Sequence, residues 1–172
     1  NAIGTDLGLT ATQEGAITSL YFMCYVAMQV PSGVLGDKYC LKRVLVVMFM
    51  LAGVSLLLLG ILSPSYLTLM LLFALHGIGG GAYFPAAMGL TLETVPPKMR
   101  GLSTAIVSSG MSIGLAVGLI SAGPIFEYFN SWRMPFLILS IPTIILAVVY
   151  QLVLRECKPT PKKKSPLAWM FR

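Results

Sequence analysis

The 172-residue sequence predicts an all-α integral membrane protein whose chain crosses the bilayer five times. Three observations carry that expectation. Hydrophobic residues make up 56% of the chain and charged residues only 10%, against roughly 25% charged in an ordinary soluble domain. The apolar residues gather into five stretches, each near the ~20 residues with which a helix spans a bilayer. The cations between those stretches fall almost entirely on one side if the spans alternate in direction.

Residues 1–10 are polar and contain glycine. Thr10 followed by Gln13 is a capping-box signature, in which each side chain satisfies a backbone N–H of the other, and it opens a first span over 11–35. A charged loop, Asp37 to Arg43, leads to a second span over 44–62, almost wholly aliphatic and ended by Ser63-Pro64-Ser65. The third span, 66–92, carries Gly77, Gly79, Gly80, Gly81 and Pro85. Membrane helices tolerate such residues where neighbours re-satisfy the backbone, so a kinked or closely packed helix is expected. In the fourth span, 101–126, Gly110, Gly114 and Gly118 recur four apart, a spacing that lets another backbone approach. The fifth, 132–154, has Pro135 near its start and Pro142 inside it, which interrupts the helical hydrogen bonding.

Orientation follows from the cations, which concentrate in short cytoplasmic loops. Lys38, Lys42, Arg43, Lys98, Arg100 and the six Lys/Arg of residues 155–172 share one side, leaving Arg133 alone opposite. The expectation is a multi-pass protein of the cell (inner) membrane with its basic loops cytoplasmic. Residues 1–154 then form a transmembrane bundle and 155–172 a basic cytoplasmic linker. A lysine-rich run of this kind also occurs in nucleic-acid-binding segments. Beside a membrane span it is read as a positive-inside anchor, with the lipid bilayer and no nucleic acid as partner.

The connection between the first two spans reads Gly33-Val34-Leu35-Gly36-Asp37-Lys38-Tyr39-Cys40-Leu41-Lys42-Arg43. Its glycines allow close helix approach, and an acid at the membrane edge can pair with cations and a neighbouring helix N-terminus in one conformation only. Such a pair is a gate latch. The plainer reading is a solvated turn, because exposed ion pairs are worth roughly 0–1 kcal/mol. The spacing resembles the Gly-x-x-x-Asp-Arg/Lys-x-Gly-x-Arg/Lys-Arg/Lys signature of the major facilitator superfamily. It matches at Gly33, Asp37, Lys38, Lys42 and Arg43, with Cys40 at the second glycine position. Gly36, Glu93 and Arg100 complete the candidate gating set, Arg100 as partner of Asp37.

The resemblance continues through Gly77-Ile-Gly79-Gly80-Gly81-Ala-Tyr83-Phe84-Pro85, Pro96-Pro97-Lys98-Met99-Arg100-Gly101 and Ser131-Trp132-Arg133-Met134-Pro135-Phe136, and so covers nearly the whole chain. These stretches look most like the organic anion:cation symporter branch, whose text is similar to Gly-x-Gly-Glu-Gly-x-x-Phe-Pro and Pro-x-x-Glu-Arg. Gly80 and Met99 stand at its two glutamates, and Phe73 where many members carry a basic residue. The resemblance implies that the five spans are helices two to six of a twelve-helix architecture. The sequence, which starts at Asn1, is therefore expected to be a fragment lacking the first helix of a six-helix bundle and the whole second half.

By the same resemblance the parent is a secondary active transporter that moves a small polar solute, on this branch an organic anion, with a coupling proton or cation. The alternative within the superfamily is a drug/proton antiporter, whose Gly-Pro pair is expected earlier than Gly123-Pro124. The alternative outside it is a non-transporting membrane assembly subunit. An enzyme is not expected: no Ser/His/Asp constellation, paired intramembrane carboxylates or zinc-ligand spacing is present, and no cofactor or metal is called for.

Candidate substrate-binding residues come from polar groups within spans. His76 is the only histidine, and an ionisable residue inside a span marks a functional site by default. The alternative is a neutral imidazole bonded to a neighbouring carbonyl. Tyr21, Tyr25 and Gln29, four apart, share a helix face, and with Tyr83 they offer hydroxyl and amide groups to a polar solute. Packed membrane tyrosines are the plainer reading of the same residues.

Overall fold

The computed structural model describes residues 2–63 and 65–154; the expected basic linker lies outside the described residues. The chain folds as α1 (Ala2–Leu7), α2 (Ala11–Lys38), α3 (Leu41–Ile61), α4 (Tyr66–Gly81), α5 (Tyr83–Thr94), a 3₁₀ turn (Pro97–Met99), α6 (Arg100–Phe129) and α7 (Arg133–Val153). Among the described residues, four helical stretches are long and apolar enough to cross a membrane: Leu41–Ile61, Tyr66–Thr94, Pro97–Phe129 and Arg133–Val153. The remaining expected span, α2, is long enough at 28 residues. Gln13, Glu14, Thr18, Ser19, Gln29 and Ser32 dilute its apolar character and keep it out of that set.

Local chemistry sets the helix ends. The Thr10 backbone N–H donates to Gln13 Oε1 at 2.9 Å and the Gln13 N–H to Thr10 Oγ1 at 3.3 Å, so the capping box forms. The charged loop expected over Asp37 to Arg43 is mostly helix. Asp37 and Lys38 close α2, Lys42 and Arg43 open α3, and only Tyr39 and Cys40 connect them. The Tyr39 N–H still donates to the Leu35 carbonyl at 2.8 Å, and the chain reverses at Cys40, whose φ is 158°. A glycine adopts positive φ at little cost, which accounts for the glycine at this position in the signature. Between α4 and α5 the helix breaks at Ala82. Pro85, in the first turn of α5, has no N–H for the Gly81 carbonyl and its ring crowds that oxygen.

α3 lies at the centre, packed against α7, α4, α5 and α2, while α2 runs along α4. The glycine run makes this possible. A Cβ at Gly77 would stand 2.5 Å from the Tyr21 carbonyl oxygen, one at Gly81 would collide with the backbone of Tyr25, and one at Gly79 would lie 2.6 Å from both Ala52 N and Met48 O. α4 is therefore wedged directly between the backbones of α2 and α3. The glycines of α6 behave differently: Gly110, Gly114 and Gly118 have nothing within 4 Å of an added Cβ, and α6 buries no residue. The close approach that their spacing permits is not used by any described residue.

Two apolar clusters mark the ends of α3. At one, Ile17, Leu59, Leu69, Leu72 and Trp132 are buried under α1. There the Trp132 indole N–H donates to Asp6 Oδ2 at 2.8 Å, and the Arg133 guanidinium lies 5.1 Å over the indole and donates to the Ser63 carbonyl at 3.5 Å. At the other, Leu41, Leu45 and Ala86 gather the α2–α3 connection with Leu90 of α5 and Leu154 after α7.

Because both contacts at Gly79 are to backbone, Gly79→Ala is expected to destabilise the bundle by about 1–3 kcal/mol. Gly114→Ala should leave the thermal midpoint in detergent unchanged or higher, since alanine is the better helix former. Equal midpoints for the two variants would contradict this packing.

Candidate functional site

The break at Ala82 divides the polar candidates between two faces. On the first, His76 of α4 reaches across to α3. Its Nδ1 lies 3.0 Å from the Ala52 carbonyl oxygen and 3.4 Å from Ser55 Oγ, which itself donates to Ala52 O at 2.8 Å. A carbonyl only accepts, so Nδ1 carries the proton, and in the neutral ring Nε2 is left as an acceptor. The imidazole also stacks on Tyr21 of α2, with centroids 5.7 Å apart and planes 19° apart. Tyr21 in turn lies 6.1 Å from Tyr25. Both readings of His76 thus have a counterpart: one ring nitrogen is tied to a carbonyl and the other is unused by the described residues.

The Tyr21 and Tyr25 hydroxyls have no hydrogen-bond partner among the described residues, and neither does the Gln29 amide, whose backbone carbonyl alone accepts a bond, from Ser32. All four side chains are only partly buried. Four polar groups on one α2/α4 face inside membrane-length helices need a partner beyond the described residues, whether water, a polar ligand or a further segment, because an unbonded polar group in an apolar medium costs several kcal/mol, about 2–7 on transfer scales.

Tyr83 is not brought to this face. One residue beyond the break, it packs 5.5 Å from Phe49 of α3, whose ring also lies 5.8 Å from that of Tyr150 on α7. Tyr83 and Tyr150 belong to the wall of a cleft of about 350 Å³ between α3, α5, α6 and α7. The sequence singled out neither Ser55 nor Tyr150, because each acquires its role from a partner on another helix, 21 residues away for the Ser55–His76 pair.

The gating candidates lie at the opposite end of α3 from Trp132. Gly36 is buried, and a Cβ there would collide with the Leu41 side chain; Gly33 has open space around it. Lys38 folds over the Tyr39 ring at 5.2 Å. Lys42, in the first turn of α3, is 6% exposed, and Arg43 is exposed. Arg100 Nε donates to the Val95 carbonyl at 3.4 Å. Asp37 and Glu93 are exposed, and neither forms an ion pair among the described residues. The Asp37–Arg100 pair is therefore unmade in this conformation. Among the described residues, no group of three His, Cys, Asp or Glu is arranged to hold a metal ion.

A model of the Major Facilitator Superfamily matches residues 1–169. The chain is 29% identical over 165 residues to a probable sulfoacetate transporter of Cupriavidus necator, covering 95% of this chain and 37% of that protein. It is 29% identical over 168 residues to a hexuronate transporter of Bacillus subtilis, covering 95% of this chain and 38% of that one. Against a probable chloroplastic anion transporter of Arabidopsis thaliana it is 30% identical over 131 residues, 76% of this chain and 25% of the relative. The chain thus spans about a quarter to two fifths of the length of these curated relatives.

The tyrosine pair on α5 and α7 can be separated from the α2/α4 face by mutation. Phe49→Ala, which removes the ring that Tyr83 and Tyr150 both pack against, should lower stability by about 1–3 kcal/mol, read as a fall in the thermal midpoint. Tyr21→Phe and Tyr25→Phe, with no bond to lose, should leave the thermal midpoint in place.

Proposed function

We propose, from the premise that this chain belongs to the Major Facilitator Superfamily, that it is part of a secondary active transporter moving a small organic anion by alternating access. The observation that carries this reading is the set of unpartnered polar groups at Tyr21, Tyr25, Gln29 and His76 on one face of membrane-length helices. Such groups occur where a helix lines an aqueous path or a substrate site. The names of the relatives, among them sulfoacetate, hexuronate and anion transporters, support an organic anion as the cargo. The described residues of the spans hold no lysine or arginine near this face. The anionic group itself is then bound by the part of the transporter that completes the cavity, together with its coupling proton or cation.

In the alternating-access cycle two bundles rock about a site near the midplane. Asp37 and Arg100 serve as the latch: separate in the present conformation, they pair when the basic ends of the helices close. Glu93, Lys38, Lys42 and Arg43 set the local field. The basic end is cytoplasmic on the positive-inside rule, which places Ser63 and Ser65 outside.

Reconstituted full-length transporter is expected to accumulate labelled organic anions and not to extrude cationic drugs; drug extrusion without anion uptake assigns the chain to the antiporter branch. Asp37→Asn should reduce uptake at least about tenfold while membrane insertion is unchanged, the scale expected when a charged partner is lost, and wild-type uptake in that variant removes the latch. For orientation, a single cysteine at position 65 should react with an impermeant maleimide in intact cells and one at position 98 should not; the opposite pattern inverts the topology.

A further inference from the structure

Lys42 is a covered charge that the bundle does not answer. Its side chain is 6% exposed, and it has neither an ion pair nor a hydrogen bond among the described residues. A charge so little hydrated is costly unless it is paired. The ammonium itself is not sealed off, so a ligand from outside the bundle can reach it. It stands in the first turn of α3, whose N-terminus has no side-chain cap and also favours an anion. Three residues on, on the same helix face, Leu45 enters the wall of the cleft of about 350 Å³ between α3, α5, α6 and α7. A second cation is held at this end of the cleft: Arg100 Nε donates to the carbonyl of Val95, another wall residue, at 3.4 Å.

The cleft beside these cations is lined mostly with carbon. Leu45, Ala87, Leu90, Val107 and Leu154 belong to its wall, and its threonines spend their hydroxyls within their own helix: Thr91 Oγ1 donates to the Ala87 carbonyl at 2.8 Å and Thr94 Oγ1 to the Leu90 carbonyl at 2.7 Å. The remaining polar side-chain atoms of the wall are Ser103 Oγ, one turn from Arg100, and the Tyr83 and Tyr150 hydroxyls. Ile106 of α6 lines the cleft and is nonetheless 63% exposed, so the cleft opens between helices to the outside of the bundle. We infer that it is the binding site of an anionic phospholipid, with one acyl chain between the helices and the phosphate on Lys42 and Arg100. A free inorganic anion satisfies the cations and leaves the apolar wall empty; a neutral lipid fills the wall and leaves Lys42 unpaired. A molecule both anionic and alkyl answers the two halves together. The volume is at the low end of ligand pockets, ~300–1,000 Å³, and suits one chain, the other lying along exposed α6. The basic end is the one that the positive-inside rule places in the cytoplasm, against a leaflet that carries anionic lipid. The inference is independent of what the transporter carries.

The test titrates the full-length transporter in detergent with dioleoylphosphatidylglycerol, dioleoylphosphatidylcholine and inorganic phosphate, counting bound lipid by native mass spectrometry and following the thermal midpoint. Phosphatidylglycerol should bind about tenfold or more tightly than phosphatidylcholine and raise the midpoint, and phosphate alone should not raise it. Lys42→Gln should weaken phosphatidylglycerol binding about fivefold, the scale of one basic residue facing an anionic membrane surface, and leave phosphatidylcholine binding unchanged. Arg43→Gln, at the exposed neighbour, should change neither. Ala87→Phe should abolish binding of both lipids by filling the cleft. A phosphatidylglycerol with a photoactivatable group in its acyl chain should label Leu90 or Val107 in the unaltered protein, a readout that does not depend on any variant folding. Equal affinity for the two lipids, or equal losses in Lys42→Gln and Arg43→Gln, overturns the headgroup site. A midpoint raised as far by phosphate as by the lipid makes this an inorganic-anion site and overturns the lipid. Label confined to residues outside the cleft, as when another part of the transporter fills it, overturns the cleft as the seat of the chain.

Discussion

The close passage of α4 between two backbones is the constraint on which the candidate site depends. In lipid the tails are as apolar as leucine, so helices gain little from hiding hydrophobic surface and associate through close packing. Gly77 and Gly81, four apart, turn one face of α4 onto the carbonyls and backbone of α2, and Gly79 turns the opposite face onto Met48 and Ala52 of α3. Only that wedge lets one imidazole on α4 bond a carbonyl of α3 and stack on a ring of α2 at once. A bulkier residue at any of the three positions moves the helix and separates the rings from one another.

The break at Ala82 then assigns roles. Before it, side chains of α4 share a face with Tyr21 and Tyr25. After it, Pro85 forces a new helix whose first residue, Tyr83, packs on Phe49, the ring that also meets Tyr150. Two tyrosines of similar exposure thus do different things. Tyr83 packs its ring on Phe49 of α3 and lines a cleft with Tyr150, whereas Tyr21 stacks on His76 and keeps its hydroxyl free of the described residues.

Much of the fold was legible because it is written locally. The capping box at Thr10, Pro85 and the apolar stretches each act within a few residues, and the helices follow them closely; the interruption expected at Pro142 does not occur, since α7 runs unbroken through it. The connection at Asp37 was misread as a loop because charge marks the membrane edge and not the helix end; the helix continues until Cys40 reverses the chain. The spacing of Gly110, Gly114 and Gly118 says that a neighbour can approach, not that one does. For the site, residue type flagged His76 and the four-residue spacing aligned Tyr21, Tyr25 and Gln29. The face that Tyr83 joins was illegible, since it depends on how far a helix turns at a break. So was the bond from His76 to Ala52, 24 residues away.

The two ends of the bundle are unequal in a way that bears on gating. At the α1 end two charged groups are held internally: Asp6 accepts from the Trp132 indole, and Arg133 covers that ring and donates to the Ser63 carbonyl, its buried Nε remaining without a partner among the described residues. At the basic end Asp37, Glu93, Lys42 and Arg43 have no ion pair among the described residues, and Arg100 bonds only a carbonyl of its own connection. A lysine in the first turn of α3 is moreover opposed by the helix dipole, which favours an anion there. A latch can work only through groups that the bundle itself leaves unsatisfied, because a charge already paired gains little from a second partner. The unpaired groups at the basic end are thus the ones from which the proposed latch would draw electrostatic free energy.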